Sequence, residues 1–194
     1  MLTMRFFLAG IMQGSHVGAV LHDQDYRARI KRLLVEHVPG ADVYDPLADH
    51  ATSLEYDDDR AREVFWHHNR LCRKVDVVLA FLPAASIGTA IEMFEAYEHD
   101  RIVVAISPMV HNWAIKFLSH LLYTDMEQFE QAVRSGDFAR RLDELRRDPG
   151  RAANQSSYPG RQPVSVESSM RFEVLRLVET LEHQENPPLR GSKD

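Results

Sequence analysis

The residues with the most chemical promise lie in the run Asp76–Tyr97, DVVLAFLPAASIGTAIEMFEAY. A glutamate, Glu92, follows a strand-like apolar run and a turn of small residues that includes Ser86 and Gly88. A helix starting in that turn places Glu92 near its beginning, and side chains on a helix lean back toward its N-terminus. Gly88 and Ser86 leave room for close backbone approach, and the free N–H groups and dipole of a helix start favour an anion. By residue type alone Glu92 has two readings. The commoner is an acid that balances the helix dipole; the other is a carboxylate facing a ligand. The neighbours Ile91 and Met93 do not separate them.

Other candidates carry weaker signals. The chain has ten histidines. His67 and His68 are adjacent, so on a helix they diverge by about 100° and share one ion poorly. Neither an H-E-x-x-H motif nor a Cys/His ligand spacing is present, so no dedicated metal site is expected, and no cofactor either. His68 and Cys72 stand four residues apart. A Cys/His nucleophile pair is conceivable there, although a buried structural thiol is the commoner outcome. Asp57, Asp58 and Asp59 read as a solvated helix start. The run GIMQGS after the first apolar segment is neither a dinucleotide fingerprint nor a Walker A loop.

These residues need a scaffold, and the composition provides for one. Of 194 residues, 44% are hydrophobic, enough for a core in one domain with an appendage. The net charge of −6 disfavours nucleic acid and anionic membranes as partners, yet a local nest of N–H groups can still hold a small anion. The single cysteine, Cys72, excludes an internal disulfide and fits a reducing, cytoplasmic setting. The start MLTMRFFLAGIM reads as a first strand and not as a signal peptide, and no apolar run is long enough to span a membrane.

Three buried strands are expected: MRFFLAGIM ending near Gly10, DVVLAFLP, and RIVVAISP. Helices alternate with them. One is capped by Asp23 and runs to about Val38; one follows the aspartates to Val75; one carries Glu92. A short strand is expected at Asp42–Tyr44. This alternation predicts a flavodoxin-like α/β fold, a parallel sheet with helices on both faces. The α/β domain is expected over 1–124, with HNWAIKFLSHLLY reading as helical and an added helix over 125–147. A linker over 148–163, a C-terminal helix over 164–185 and a disordered tail over 186–194 complete the expected plan. Ligands of such sheets bind beyond the carboxyl ends of the strands, so the loops 10–22, 83–89 and 108–112 should meet at one crevice.

FFLAGIM together with VDVVLAFLPAASIGTAIEMFEAYEHDRIVVAISP resembles the nucleoside 2-deoxyribosyltransferases and their relatives that hydrolyse nucleoside 5'-monophosphates. The resemblance covers roughly residues 4–120. It implies that Glu92 is a nucleophile that attacks the anomeric carbon, releases the base and forms a glycosyl ester, which water or a second base then resolves. Gly10, Phe7, Ser86 and Gly88 would line the substrate site. The family's transferases tend to carry an acid where this chain has Ser86, and its monophosphate hydrolases a serine, which favours a 5'-phosphate here. Asn112 would enter the site of a neighbouring subunit, implying a homodimer or larger homo-oligomer. Two departures stand out. Phe6 and Phe7 occupy the place of a tyrosine that hydrogen-bonds the nucleophile, and His68 or Asn69 the place of an acid near the leaving base. A histidine could protonate a base; an asparagine could only orient one. The implied activity is N-glycosidic cleavage of a nucleotide or nucleoside. Its alternatives are deoxyribosyl transfer between bases and a nucleotide-binding module without turnover.

Overall fold

The computed structural model describes residues 3–12 and 22–147. The linker, C-terminal helix and tail expected beyond 147, and most of the loop 10–22, lie outside the described residues. The elements are β1 (Met4–Gly10), α1 (Asp25–His37), β2 (Ala41–Tyr44), α2 (Pro46–Asp49), α3 (Asp58–Cys72), β3 (Val77–Phe81), α4 (Ile87–Glu98), β4 (Ile102–Ile106), α5 (Trp113–Leu118), β5 (Leu121–Tyr123), α6 (Met126–Arg134) and α7 (Asp137–Arg147). The strands form one parallel sheet in the order β2-β1-β3-β4-β5. That is the flavodoxin-like order.

The sheet explains why its strands read as unbroken apolar runs: both faces are covered. On one face Phe6, Leu8, Leu79 and Val104 pack with Ile30, Leu34, Phe129, Phe138 and Leu142 from α1, α6 and α7. On the other, Phe7, Ala9, Val78 and Ala80 pack with Cys72, Met93, Ala96 and Ile115 from α3, α4 and α5. Short polar side chains start the helices. Asp57 accepts from the Arg60 amide at 2.8 Å, Ser86 from that of Thr89 at 3.4 Å, and Asp125 from that of Gln128 at 2.8 Å.

Three stretches differ from expectation. The run after Asn112 is helical only to Leu118; Leu121–Tyr123 then adds β5 to the sheet edge, burying Leu121 and Tyr123. The added helix 125–147 is two helices, broken where Gly136 takes φ +79°. Asp23 does not cap α1: its carboxylate accepts from the Asp25 amide, while Gln24 holds the cap position. No helix among the described residues is long and apolar enough to cross a membrane.

Candidate functional site

Strand order reverses at β1 and β3, so the crevice of this sheet opens beyond Gly10 and Phe81. Glu92 reaches that region from the second turn of α4, half-buried. Loss of hydration pushes its carboxyl up from 4.5 to about 8, against an opposing pull from the Arg27 guanidinium. At neutral pH the unliganded carboxyl therefore holds a proton most of the time. Its charge is felt by Tyr26 of α1 and by Cys72 of α3, which places both near it.

Tyr26 and Arg27 are the site residues that the sequence did not single out. The Tyr26 ring packs on Phe81 with centroids 4.3 Å apart, and its hydroxyl donates to the Ile11 carbonyl at 3.4 Å. A Cβ on Gly10 would stand 2.2 Å from that hydroxyl. Gly10, expected to line the substrate site, makes room here for the protein's own phenol. Burial pushes Tyr26 up to about 12, with Arg27 opposing, so its hydroxyl keeps its proton. Arg27 is only 3% exposed. It donates to the Leu8 carbonyl and to Asp45 at 2.9 Å each, to Gln24 at 2.7 Å and to the Gly10 carbonyl at 3.4 Å. Asp45 in turn caps α2. One guanidinium therefore ties α1, the end of β1 and the start of α2 together. The signal was present: Arg27 lies three residues before Ile30 and seven before Leu34, on the apolar stripe of its helix.

The other expected site residues divide. Phe7 is fully buried and does not line the crevice; it is the platform under Tyr44 (5.6 Å) and His68 (5.9 Å). His68 Nε2 lies 3.3 Å from the Tyr44 hydroxyl, and its ring packs 5.1 Å from that of His50. Desolvation, then the neighbouring His50 and His67, lower His68 to about 4, so it is neutral at physiological pH. Asn69 is 2% exposed. Its amide donates to the Phe65 carbonyl at 2.8 Å within its own helix, and its Oδ1 has no partner. Cys72 is fully buried with its thiol pushed up, the mark of a structural cysteine and not of a nucleophile paired with His68.

Ser86 caps α4 and accepts from the Thr89 hydroxyl at 2.9 Å, which leaves its own proton to donate outward. A Cβ on Gly88 would meet nothing within 4 Å beyond its own helix, so the first turn of α4 is open on that side. Asn112 caps its own α5, accepting from Ala114 and Ile115 amides at 3.0 and 3.3 Å. It shares with Ser86, Met93 and Met109 of the same chain an apolar cavity of about 360 Å³. Among the described residues no three His, Cys, Asp or Glu side chains converge as a metal site.

No known family profile matches the sequence, and no curated protein is significantly similar to it. Solved structures do match. One is a 2-deoxyribosyltransferase from Bacillus psychrosaccharolyticus, described as a biocatalyst for nucleoside synthesis. It shares 17% identity at a TM-score of 0.51, over 65% of this chain and 90% of that one. Another is a conserved protein from Enterococcus faecalis V583, at 16% identity and TM-score 0.45, over 74% of this chain and 99% of that one. The resemblance read from FFLAGIM and Asp76–Pro108 thus extends to the architecture: this chain is similar in fold to a 2-deoxyribosyltransferase.

Proposed function

We propose that this chain cleaves the N-glycosidic bond of a nucleoside 5'-monophosphate or nucleoside, as a relative of the nucleoside 2-deoxyribosyltransferases. The observation that carries the reading is the placement of Glu92. A half-buried carboxyl, Glu92, stands on the helix after the central strand, at the sheet's switch point, with Tyr26 and Arg27 beside it. Once deprotonated, a Glu92 oxygen attacks the anomeric carbon. The C–N bond breaks, its electron pair stays on the base nitrogen, and the base takes up a proton from solvent water. An oxocarbenium-like transition state gains from the carboxylate beneath it. Water then attacks the same carbon, regenerating the carboxylate and releasing the sugar. Tyr26 is a positioning residue: its phenol, held to the Ile11 carbonyl, shapes the crevice beside Glu92. His68, neutral in the free protein, donates a hydrogen bond to the base in preference to a full proton.

Ser86 and the open first turn of α4 take the 5'-phosphate. Incubation with a panel of nucleoside 5'-monophosphates and the matching nucleosides, followed by chromatography, should show free base mainly from the monophosphates. Ser86→Asp should weaken monophosphate use at least tenfold by repulsion. A wild type that prefers free nucleosides would remove the phosphate from the proposal. The same panel with a second base added distinguishes transfer, which yields a new nucleoside, from hydrolysis.

A second reading, a nucleotide-binding module without turnover, draws on the proton that Glu92 retains at neutral pH. It requires that the nucleotides bind and that no base appears even at pH 9.

The proposed active form is a homodimer. Ile87 (81% exposed), Ile91 and Phe94 on α4, with Trp113 (77%) on α5, leave a large apolar surface beside the Ser86–Asn112 cavity. A second copy laid isologously on this surface would cover it and bring a second Asn112 toward the crevice. Sedimentation at micromolar concentration should give a dimer, and Ile87→Lys/Trp113→Lys a monomer with base release at least tenfold lower. A monomeric wild type that releases base would show that one subunit suffices.

A further inference from the structure

A second cavity, of about 320 Å³, lies beside the end of β1 and is separate in its lining from the one at Ser86. Its walls are rings and aliphatic side chains: His50, Tyr56, Phe65 and His68 with Met12 and Leu54. Among the described residues no Asp, Glu, Lys or Arg side chain lines it. Its polar edge comes from the segment between α2 and α3, which includes the 3-10 turn Ser53–Glu55. There His50 Nδ1 lies 3.0 Å from the Tyr56 hydroxyl. That contact leaves His50 Nε2 as the ring's remaining hydrogen-bonding atom. His68, engaged at Nε2 by Tyr44, keeps Nδ1 in the same way. The rings of His50 and His68 pack 5.1 Å apart at 69° to each other, so two adjacent walls can offer a donor and an acceptor together.

Such a pocket rejects a phosphate or carboxylate, for which its described residues supply no Lys or Arg. It is also poorly furnished for a sugar, whose several hydroxyls would meet apolar walls. A flat heterocycle suits it: ring faces stack on Phe65 and Tyr56, and the ring edge carries mixed donors and acceptors. We infer that this cavity holds the nucleobase of the substrate and that His50 and Tyr56 read its edge, determining which base is accepted. The inference rests on the reading above for the ligand's identity as the leaving base. It adds two specificity residues, His50 and Tyr56, and places the base over the ends of β1 and β2 while the phosphate lies at α4.

The test is binding of free bases to the full chain carrying Glu92→Gln, so that no turnover intervenes. Adenine, hypoxanthine, cytosine, uracil and thymine are titrated by calorimetry. At least one base should bind. His50→Leu should weaken its binding at least tenfold, and Tyr56→Phe should change the order of preference among the bases. Ribose 5-phosphate, bound through Ser86 and α4, should be held equally by all three proteins, which also verifies that the variants are folded. No base binding at millimolar concentration, or base binding unchanged by both substitutions, overturns the inference. Base release by wild type together with unchanged base affinity in the variants would overturn the pocket and leave the proposed function standing. Base binding without any release by wild type would do the reverse.

Discussion

Glu92→Gln abolishes base release and at the same time stabilises the fold. An amide is no nucleophile, so turnover falls to background. The stability gain follows from the raised carboxyl. Below pH 4.5 the proton is on Glu92 in folded and unfolded chains alike, and the substitution changes little. As pH rises from 4.5 to about 8, the unfolded chain releases the proton while the native state retains it, so native stability is progressively lost. Glutamine has no proton to retain. Its advantage should therefore grow across that window and level off above it, reaching on the order of 3 kcal/mol, or roughly 5–10 °C in Tm. Wild-type kcat/KM should climb over the same window with a midpoint near pH 8. Thermal melts at pH 4, 6, 8 and 9 with parallel base-release assays measure both. Appreciable turnover in the glutamine variant, or a Tm difference that ignores pH, removes Glu92 from its role.

Gly10→Ala lowers activity and stability through a residue sixteen positions away. The new methyl would stand 2.2 Å from the Tyr26 hydroxyl and 2.9 Å from its ring carbon Cζ, so the phenol must move off the end of β1. Repacking of this kind costs about 1–3 kcal/mol. With the hydroxyl displaced from the neighbourhood of Glu92, base release should fall at least tenfold. Tyr26→Phe should lose activity to a similar degree with little change in Tm, because its ring still rests on Phe81. The double variant should be no less active than Gly10→Ala alone, and adding Gly10→Ala to Tyr26→Phe should cost less stability than adding it to wild type. Such non-additivity marks two residues acting through one contact. A Gly10→Ala protein with native Tm and rate would show that the phenol has no part in the chemistry.

The parts of this molecule that could be read in advance are those written in local pattern. β1, β3 and β4 are buried on both faces, so their apolar runs are continuous, and the helix carrying Glu92 announces itself by Ser86 and the small residues around it. β5 could not be read, because Leu121–Tyr123 is too short for a period and continues an apolar stretch of helical appearance. Tyr26 looked like one more apolar position on α1. Its place at the crevice depends on Gly10 lacking a side chain, a relation between residues on two elements that no single window contains. Arg27 was visible as a charge on an apolar stripe, yet its partners Asp45 and the carbonyls of Leu8 and Gly10 are supplied by the fold. His50 and Tyr56 meet across a single 3-10 turn, Ser53–Glu55, too short to leave a period in the sequence.

The strand order also governs how the chain can be made. β1 first finds β2, through α1, and only later β3, whose Val77 pairs with Phe6 some seventy residues earlier in the chain. At ribosomal rates that interval is roughly 4–14 s. Throughout it, one edge of β1 and the apolar side chains on both of its faces, Phe6, Phe7 and Leu8 among them, await their cover. The strand that ends in Gly10 at the crevice is thus also a segment whose apolar faces and edge wait longest for cover as the chain emerges.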